Sequence, residues 1–575
     1  MVGRTRGTLA ENQIASFGYI NRMRREHVYR ALAFLCPFAV LFFACLNQPN
    51  LLGLWLDDGL YFQAAQGLVE GKGYRAFFFP GEPYQTNYPP LYSLSLALFM
   101  ILGLIKNSEG FQIALPNMVF VSLASLVFYN LFRRRFPDVK PRASLLVTWL
   151  VFVHPHLWYL VFLPMSEPLF ILLYLLILWR FDKHQGAHDS SGFWLGIGFL
   201  LGLSLLTRKI SLSLVMGAML WLLLQNTLTW PLRLKRTLTL LFPAVVFYGM
   251  WNFYLHFAIS HNPPTANSIL FTYYKAYSSR GSQLLSFLPN VAVLPNVVVS
   301  NIIQSFESTA GLMPYGLTNT VFLLQNKSLL VLCGTMFLGL CVMGMYFGIR
   351  KRGLRPEHLM FAVYLSVIFV WPFSPWRFLV ALIPWFALLF AEAFDGFRKY
   401  RKAFVVPLLL VCVIQGIGAG TFYFKVASQP PSSFEFLGAP FDVSATQEGL
   451  KWMSDHLPRE AVVVSAKTQM VYFHAHRKSV PPLDASKLAL LFYPHTVRWA
   501  WSGGLGRENA EFIRKNEENI WKAWREIGAT HIFFDANDNR STVEGVANAF
   551  LINSHVSQLV PIYATPTVIV FEIRY

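Results

Sequence analysis

Apolar residues along this chain come in long blocks separated by short basic clusters. Blocks lie near 31–50, 113–132, 143–162, 167–180, 193–207, 210–226, 238–257, 328–349, 358–373, 378–396 and 403–424. Most approach the length a bilayer core demands of a helix, about 20 residues. The pattern predicts a multi-spanning α-helical membrane protein of about eleven spans. Basic clusters sit at Arg22–Arg30, Arg133–Arg142, Arg180 with Lys183, Arg233–Arg236, Arg350–Arg355 and Arg398–Lys402. With those spans every cluster falls on the side of the N-terminus, which the positive-inside rule makes cytoplasmic. The block at 91–105 is short, and counting it would invert each later loop. It is therefore assigned to the outer membrane surface.

An odd number of spans leaves three polar regions outside: 51–112, 258–327 and everything after 425. The chain thus divides into a cytoplasmic N-terminus (1–30), a membrane domain (31–425) and an extracytoplasmic domain (426–575). The last opens on the linker-like Ser428-Gln-Pro-Pro-Ser-Ser. Strands are expected at Ala461-Val-Val-Val, His531-Ile-Phe-Phe-Asp and Val568-Ile-Val-Phe-Glu-Ile, with helices near 446–456, 508–527 and 541–554. Alternating strands and helices predict a small α/β fold.

Composition agrees. Of 575 residues, 54% are hydrophobic and 14% charged, against roughly 25% charged in soluble domains. The net charge of +18 resides in the loop clusters, which argues against nucleic acid as a partner and for membrane lipids. All five cysteines lie in apolar blocks, so no disulfide framework is implied outside them. The first apolar run lacks a small-residue cleavage site and reads as an uncleaved span.

Candidate chemistry gathers at the outer ends of spans. Asp57 and Asp58 are adjacent carboxylates just beyond the first span, where desolvation is expensive without a cavity, a cation or a substrate. Like charges side by side also suit one of them to act as a general base. Two surface aspartates at a hydrated loop start would look the same. Glu167, in Pro164-Met-Ser-Glu-Pro, either lines a cavity or simply favours a helix N-terminus. Arg208 and Arg377 break the charge rule by falling outside; they fit phosphate recognition or headgroup anchoring. His154 and His156 form a close pair whose spacing is poor for one helical face. Tyr273, Tyr277 and Glu307 sit on the long outer loop, where aromatic residues form an interfacial belt or stack on sugar. No phosphate-binding loop, dinucleotide motif, zinc motif or nucleophile elbow occurs.

The run Asp57-Asp58-x-x-Tyr61, a small-residue stretch, then Tyr88-Pro-Pro-Leu91 resembles the first external loop of the GT-C glycosyltransferases. These include protein O-mannosyltransferases (family 39) and the aminoarabinose transferases of lipid A. Ser166-Glu-Pro-Leu and the arginine before Ile383-Pro-Trp are similar too. The resemblance implies a polyprenyl-phosphate sugar donor, a lipid, glycan or protein acceptor, and an inverting single displacement in a bacterial inner membrane. It implies Asp57 as base, with Asp58, Tyr61, Tyr88 and Glu167 binding substrate and Arg208 and Arg377 on the donor phosphate. Asp58 and Glu167 could instead hold a divalent cation, Mg or Mn. Two positions depart from the pattern: Asp58 stands where many relatives have Glu, and Tyr88 where the lipid A enzymes have Lys. A transporter or flippase, expected to place its charges near the bilayer midplane, and a non-catalytic scaffold are the competing readings.

Overall fold

The computed structural model describes residues 5–263, 327–482 and 521–575, apart from 56, 107–109, 184–189, 371–375, 398–400, 430–432, 437–438, 537–551 and 553–555; residues 266, 302, 305 and 518 are described besides. Tyr273, Tyr277, Glu307, the helix expected at 541–554 and most of that at 508–527 lie outside the described residues.

The membrane part is helical. Its elements are α1 (Thr5–Cys45), α2 (Asp57–Val69), α3 (Leu91–Ile101), α4 (Leu115–Arg135), α5 (Pro141–Phe152), α6 (Pro155–Trp158), α7 (Glu167–Lys183), α8 (Ser191–Leu205), α9 (Leu212–Leu223), α10 (Trp230–His261), α11 (Lys327–Arg352), α12 (Pro356–Val370), α13 (Trp376–Val380), α14 (Ile383–Gly396) and α15 (Arg401–Ser428). Four described stretches are long and apolar enough to cross a bilayer: Arg24–Cys45, Gly110–Arg135, Trp230–His261 and Leu332–Arg352. Several others are apolar but shorter, including α3 with 11 residues. At 1.5 Å per residue α3 is about 16 Å long, roughly half the hydrocarbon thickness. It packs against α2 and α4.

The expected span 143–162 is not one helix. α5 stops at Phe152, and His154 caps the single turn α6, its Nδ1 accepting from the His156 amide at 3.2 Å. Pro155 has no N–H to continue the helical ladder. The irregular stretch that follows would leave carbonyls unpaired in an apolar setting. Buried Asn117 on α4 meets that need, its Nδ2 donating to the Leu160 and Leu163 carbonyls at 3.1 and 2.8 Å. A second break, around α13, is satisfied similarly. Tyr174 on α7 donates to the Ala381 carbonyl at 3.0 Å and Tyr364 on α12 to that of Phe378 at 3.2 Å. A third separates α8 from α9 and is closed by the Ser204–Ser211 hydroxyl pair at 2.8 Å.

After α15 come a hairpin, β1 (Ser433–Phe436) with β2 (Ala439–Asp442), and the amphipathic helix α16 (Val443–His456), capped by Asp442 accepting from the Ala445 amide. A five-stranded sheet follows. It comprises β3 (Val462–Val464), β4 (Lys478–Val480), β5 (His531–Asp535), β6 (Leu559–Ala564) and β7 (Val568–Ile573), in the order β4-β3-β5-β7-β6. β3 runs parallel to β4 and β5, while β7 is antiparallel to β5 and β6. The three strands expected from sequence are present; β4 and the hairpin lacked a sufficient apolar run, and β6 carries Pro561, which counts against a strand interior. The sheet does not stand apart. One buried hydrophobic cluster includes Leu51, Leu52 and Phe62 of the first loop together with Met470, Val471 and Phe533.

Candidate active site

The three helix breaks carry the chemistry. The first presents Ser166 and Glu167, the third Arg208, and the second Arg377 on α13. The residue beginning α2, Asp57, meets them from the segment after α1. Arg377 bridges two carboxylates: Nη1 donates to Asp57 Oδ2 at 2.8 Å, while Nε and Nη2 donate to Glu167 Oε1 at 3.0 and 2.8 Å. Arg208 Nη1 reaches the same Glu167 oxygen at 2.7 Å and Ser166 Oγ at 2.9 Å. The Tyr88 hydroxyl donates to the other Asp57 oxygen. Tyr61 pairs with Ser166 Oγ at 2.9 Å and packs its ring against Tyr88 and Tyr92. Segments 320 and 210 residues apart in sequence therefore converge on one guanidinium.

Six of the seven residues to which the resemblance gives a site role lie in this network: Asp57, Tyr61, Tyr88, Glu167, Arg208 and Arg377. The seventh, Asp58, is turned away. It is fully buried and accepts main-chain amides from Gly53 at 2.6 Å and Trp55 at 3.1 Å. Burial pushes its carboxyl up to about 7; the Gly53 amide opposes this and the Asp57 charge adds to it. Asp58 thus holds the loop that carries Asp57. Glu167 also differs from expectation. Completely buried, it spends one oxygen on both arginines, so it aligns them with each other.

These positions do not suit a divalent cation. Asp58 faces backbone amides, and a guanidinium already stands between Asp57 and Glu167. Among the described residues no group of three or more His, Cys, Asp or Glu is placed to hold a metal. His154 and His156 stack on each other, and the His156 ring meets the edge of Trp376 at 5.5 Å. Trp376 in turn stacks on Trp55 at 6.2 Å, and the Arg377 guanidinium lies 5.5 Å from the Trp55 ring centre. An aromatic wall thus flanks the arginine.

A second charged cluster occupies the other end of α7, about 22 Å along the helix from Glu167. Asp182 accepts from Arg134 at 3.1 Å and Arg355 at 3.2 Å, and lies 3.4 Å from Arg135. Arg135 also pairs with Glu357 at 2.8 Å, and Arg352 with Glu392. Sequence reading used these arginines only as markers of the inner side. The signal missed was the set of isolated acids, Asp182, Glu357 and Glu392, within or beside apolar runs.

Comparison with known proteins agrees with the fold. Residues 87–251 match the family model described as dolichyl-phosphate-mannose-protein mannosyltransferase. That segment holds Tyr88, Glu167 and Arg208. Asp57 and Arg377 fall outside it. The structure of ArnT from Cupriavidus metallidurans bound to undecaprenyl phosphate superposes with a TM-score of 0.51 at 14% identity, covering 95% of this chain and 97% of that one. The archaeal oligosaccharyltransferase AglB from Archaeoglobus fulgidus, in complex with an inhibitory peptide and a dolichol-phosphate, gives 0.50 at 14% identity over 92% of this chain and 72% of its own. No curated protein matches by sequence. The 87–251 segment is thus similar to a GT-C glycosyltransferase family, and the fold is similar to that of the two membrane proteins just named.

Proposed function

We propose that the protein transfers a sugar from a polyprenyl-phosphate carrier to a hydroxyl or amine of a lipid, glycan or protein acceptor at the outer face of a membrane, a bacterial inner membrane by the family resemblance. The carrying observation is the Arg377 bridge: one phosphate-competent cation held between the Asp57 and Glu167 carboxylates, with Arg208 alongside. The lipid phosphates named for the two superposed structures support the donor class. In the reaction the acceptor heteroatom attacks the anomeric carbon while the bond from that carbon to the phosphate oxygen breaks. The acceptor proton passes to Asp57. The electron pair leaves on the polyprenyl phosphate, where Arg377 and Arg208 offset the developing charge. A single displacement inverts the anomeric centre. The topology that goes with this reading has about eleven spans, a cytoplasmic N-terminus and residues 426–575 outside.

The test is transfer from a panel of radiolabelled polyprenyl-phosphate sugars into membrane extracts, comparing wild type with Asp57→Asn at matched expression. Transfer by wild type that disappears in the variant supports the class and the base together. Equal transfer by both removes Asp57 as base. No transfer from any donor by wild type refutes the donor assignment.

A further inference from the structure

The loop that carries Asp57 does not hold its shape alone. Gly53 has φ +96, and a Cβ there would lie 2.4 Å from the Met470 nitrogen and 2.6 Å from the Gln469 carbonyl carbon. A Cβ on Gly59 would meet Gln469 Cβ at 2.4 Å and Cγ at 2.5 Å. Real Cβ atoms do not tolerate such distances, so both glycines leave room for a single intruding side chain and its backbone. Gln469 and Met470 are buried there. Around this seat His474 Nε2 is 3.2 Å from the Leu52 carbonyl, and the Phe473 ring meets Phe62 edge-on at 5.7 Å. The Ser479 amide donates to the Phe78 carbonyl at 2.8 Å, and Lys478 pairs with Glu82 at 2.6 Å. The 468–479 segment between β3 and the end of β4 therefore grips the first external loop at several points. The glycine notch is the one directly behind the carboxylate pair.

From this geometry we propose that Gln469 is a positioning residue: seated between Gly53 and Gly59, it sets the turn that presents Asp57 to Arg377. The path is short. Gly53 and Trp55 donate their amides to Asp58, Trp55 stacks on Trp376, and the next residue in the chain is Arg377. Moving Gly59 shifts Asp58 and Asp57 with it, because all three begin the same helix. The C-terminal part is thereby a structural component of the catalytic loop and not only a neighbour of it. This inference rests on the transfer reaction proposed above for its kinetic consequence, but not for the contact itself.

The test uses the full chain in lipid nanodiscs with three variants: Gly59→Ala, Gln469→Gly, and the two combined. Two readouts are taken. One is kcat and KM for the active polyprenyl-phosphate sugar. The other is amide hydrogen exchange of peptides spanning 50–60, with those spanning β5 as a check on folding. Gly59→Ala is expected to lower kcat about 10²-fold, the usual cost of an ångström-scale misplacement, with KM for the donor little changed and exchange at 50–60 accelerated. Gln469→Gly alone should lower kcat and accelerate that exchange while β5 stays protected. The double variant should recover part of the kcat lost in Gly59→Ala, because the added methyl group then takes up the space between the glycines that the Gln469 Cβ and Cγ have vacated. A double variant no better than Gly59→Ala, with β5 still protected, would overturn the proposal. So would unchanged exchange at 50–60 in both single variants. If wild type transfers from no donor, the reaction assignment fails and the exchange data alone decide whether the seat exists.

Discussion

Replacing Arg377 with lysine keeps the charge and removes the fork. Arg377 makes three charge-assisted hydrogen bonds to carboxylates from two distant segments. A lysine ammonium is a point donor on a flexible stem and can serve only one of those carboxylates well. Two of the three bonds are therefore lost or lengthened. Hydrogen bonds to charged groups contribute about 1.5–3 kcal/mol each, so the loss is about 3–6 kcal/mol at most. Glu167 keeps Arg208 at 2.7 Å as a countercharge, so the buried acid is not stranded and the fold should survive. The cost should fall on transition-state stabilisation, where the phosphate takes up charge. With a factor of ten per about 1.4 kcal/mol, kcat/KM should drop by as much as about 10²- to 10⁴-fold. The assay is initial-rate transfer of labelled sugar by purified protein in nanodiscs, with the thermal midpoint measured on the same samples. A variant that keeps kcat/KM within about threefold of wild type, a difference of about 0.7 kcal/mol, would refute the assignment of Arg377 to the donor phosphate.

Other expectations follow from the same geometry. Glu167→Gln removes the charge shared by Arg208 and Arg377, and breaking such a buried pair costs about 3–5 kcal/mol; both the thermal midpoint and transfer should fall. Asp182→Asn at the C-terminal end of α7 should cost a similar amount, about 3–5 kcal/mol, yet leave kcat per folded molecule unchanged, which separates the two clusters. Folded Asp58 keeps its proton to about 7, whereas its ordinary value is 3.8. Between those values the folded state binds the extra proton. Its contribution to stability is therefore full below the lower value and falls as pH rises toward the upper one. Thermal midpoints recorded across that range should show this slope in wild type and lose it in Asp58→Asn.

Much of the site was legible in one dimension because the bilayer makes charge conspicuous. An ionised residue at the end of an apolar run is expensive unless it is used, so Asp57, Glu167, Arg208 and Arg377 stood out against their surroundings. Hydrophobic length similarly exposed the helical class, and the β-branched and aromatic residues at Val462–Val464, His531–Asp535 and Val568–Ile573 exposed the sheet. Local pattern carries that information because it reports where each residue prefers to be. It does not report which partner a residue meets. Asp57 and Asp58 are indistinguishable as neighbours in a string, and only the fold sends one to Arg377 and the other to the amides of Gly53 and Trp55. Glu167 became the clasp between two arginines because three separate helix breaks converge. Each break is tolerated because Asn117, Tyr174, Tyr364 or the Ser211 hydroxyl satisfies the backbone it frees. The notch at Gly53 and Gly59 carried no signal by itself, since a glycine's missing Cβ acquires meaning only when Gln469, some 410 residues later, arrives to fill the space. Burial preference is a property of each residue and is written in the sequence, whereas pairing belongs to two residues at once and was decided by tertiary structure.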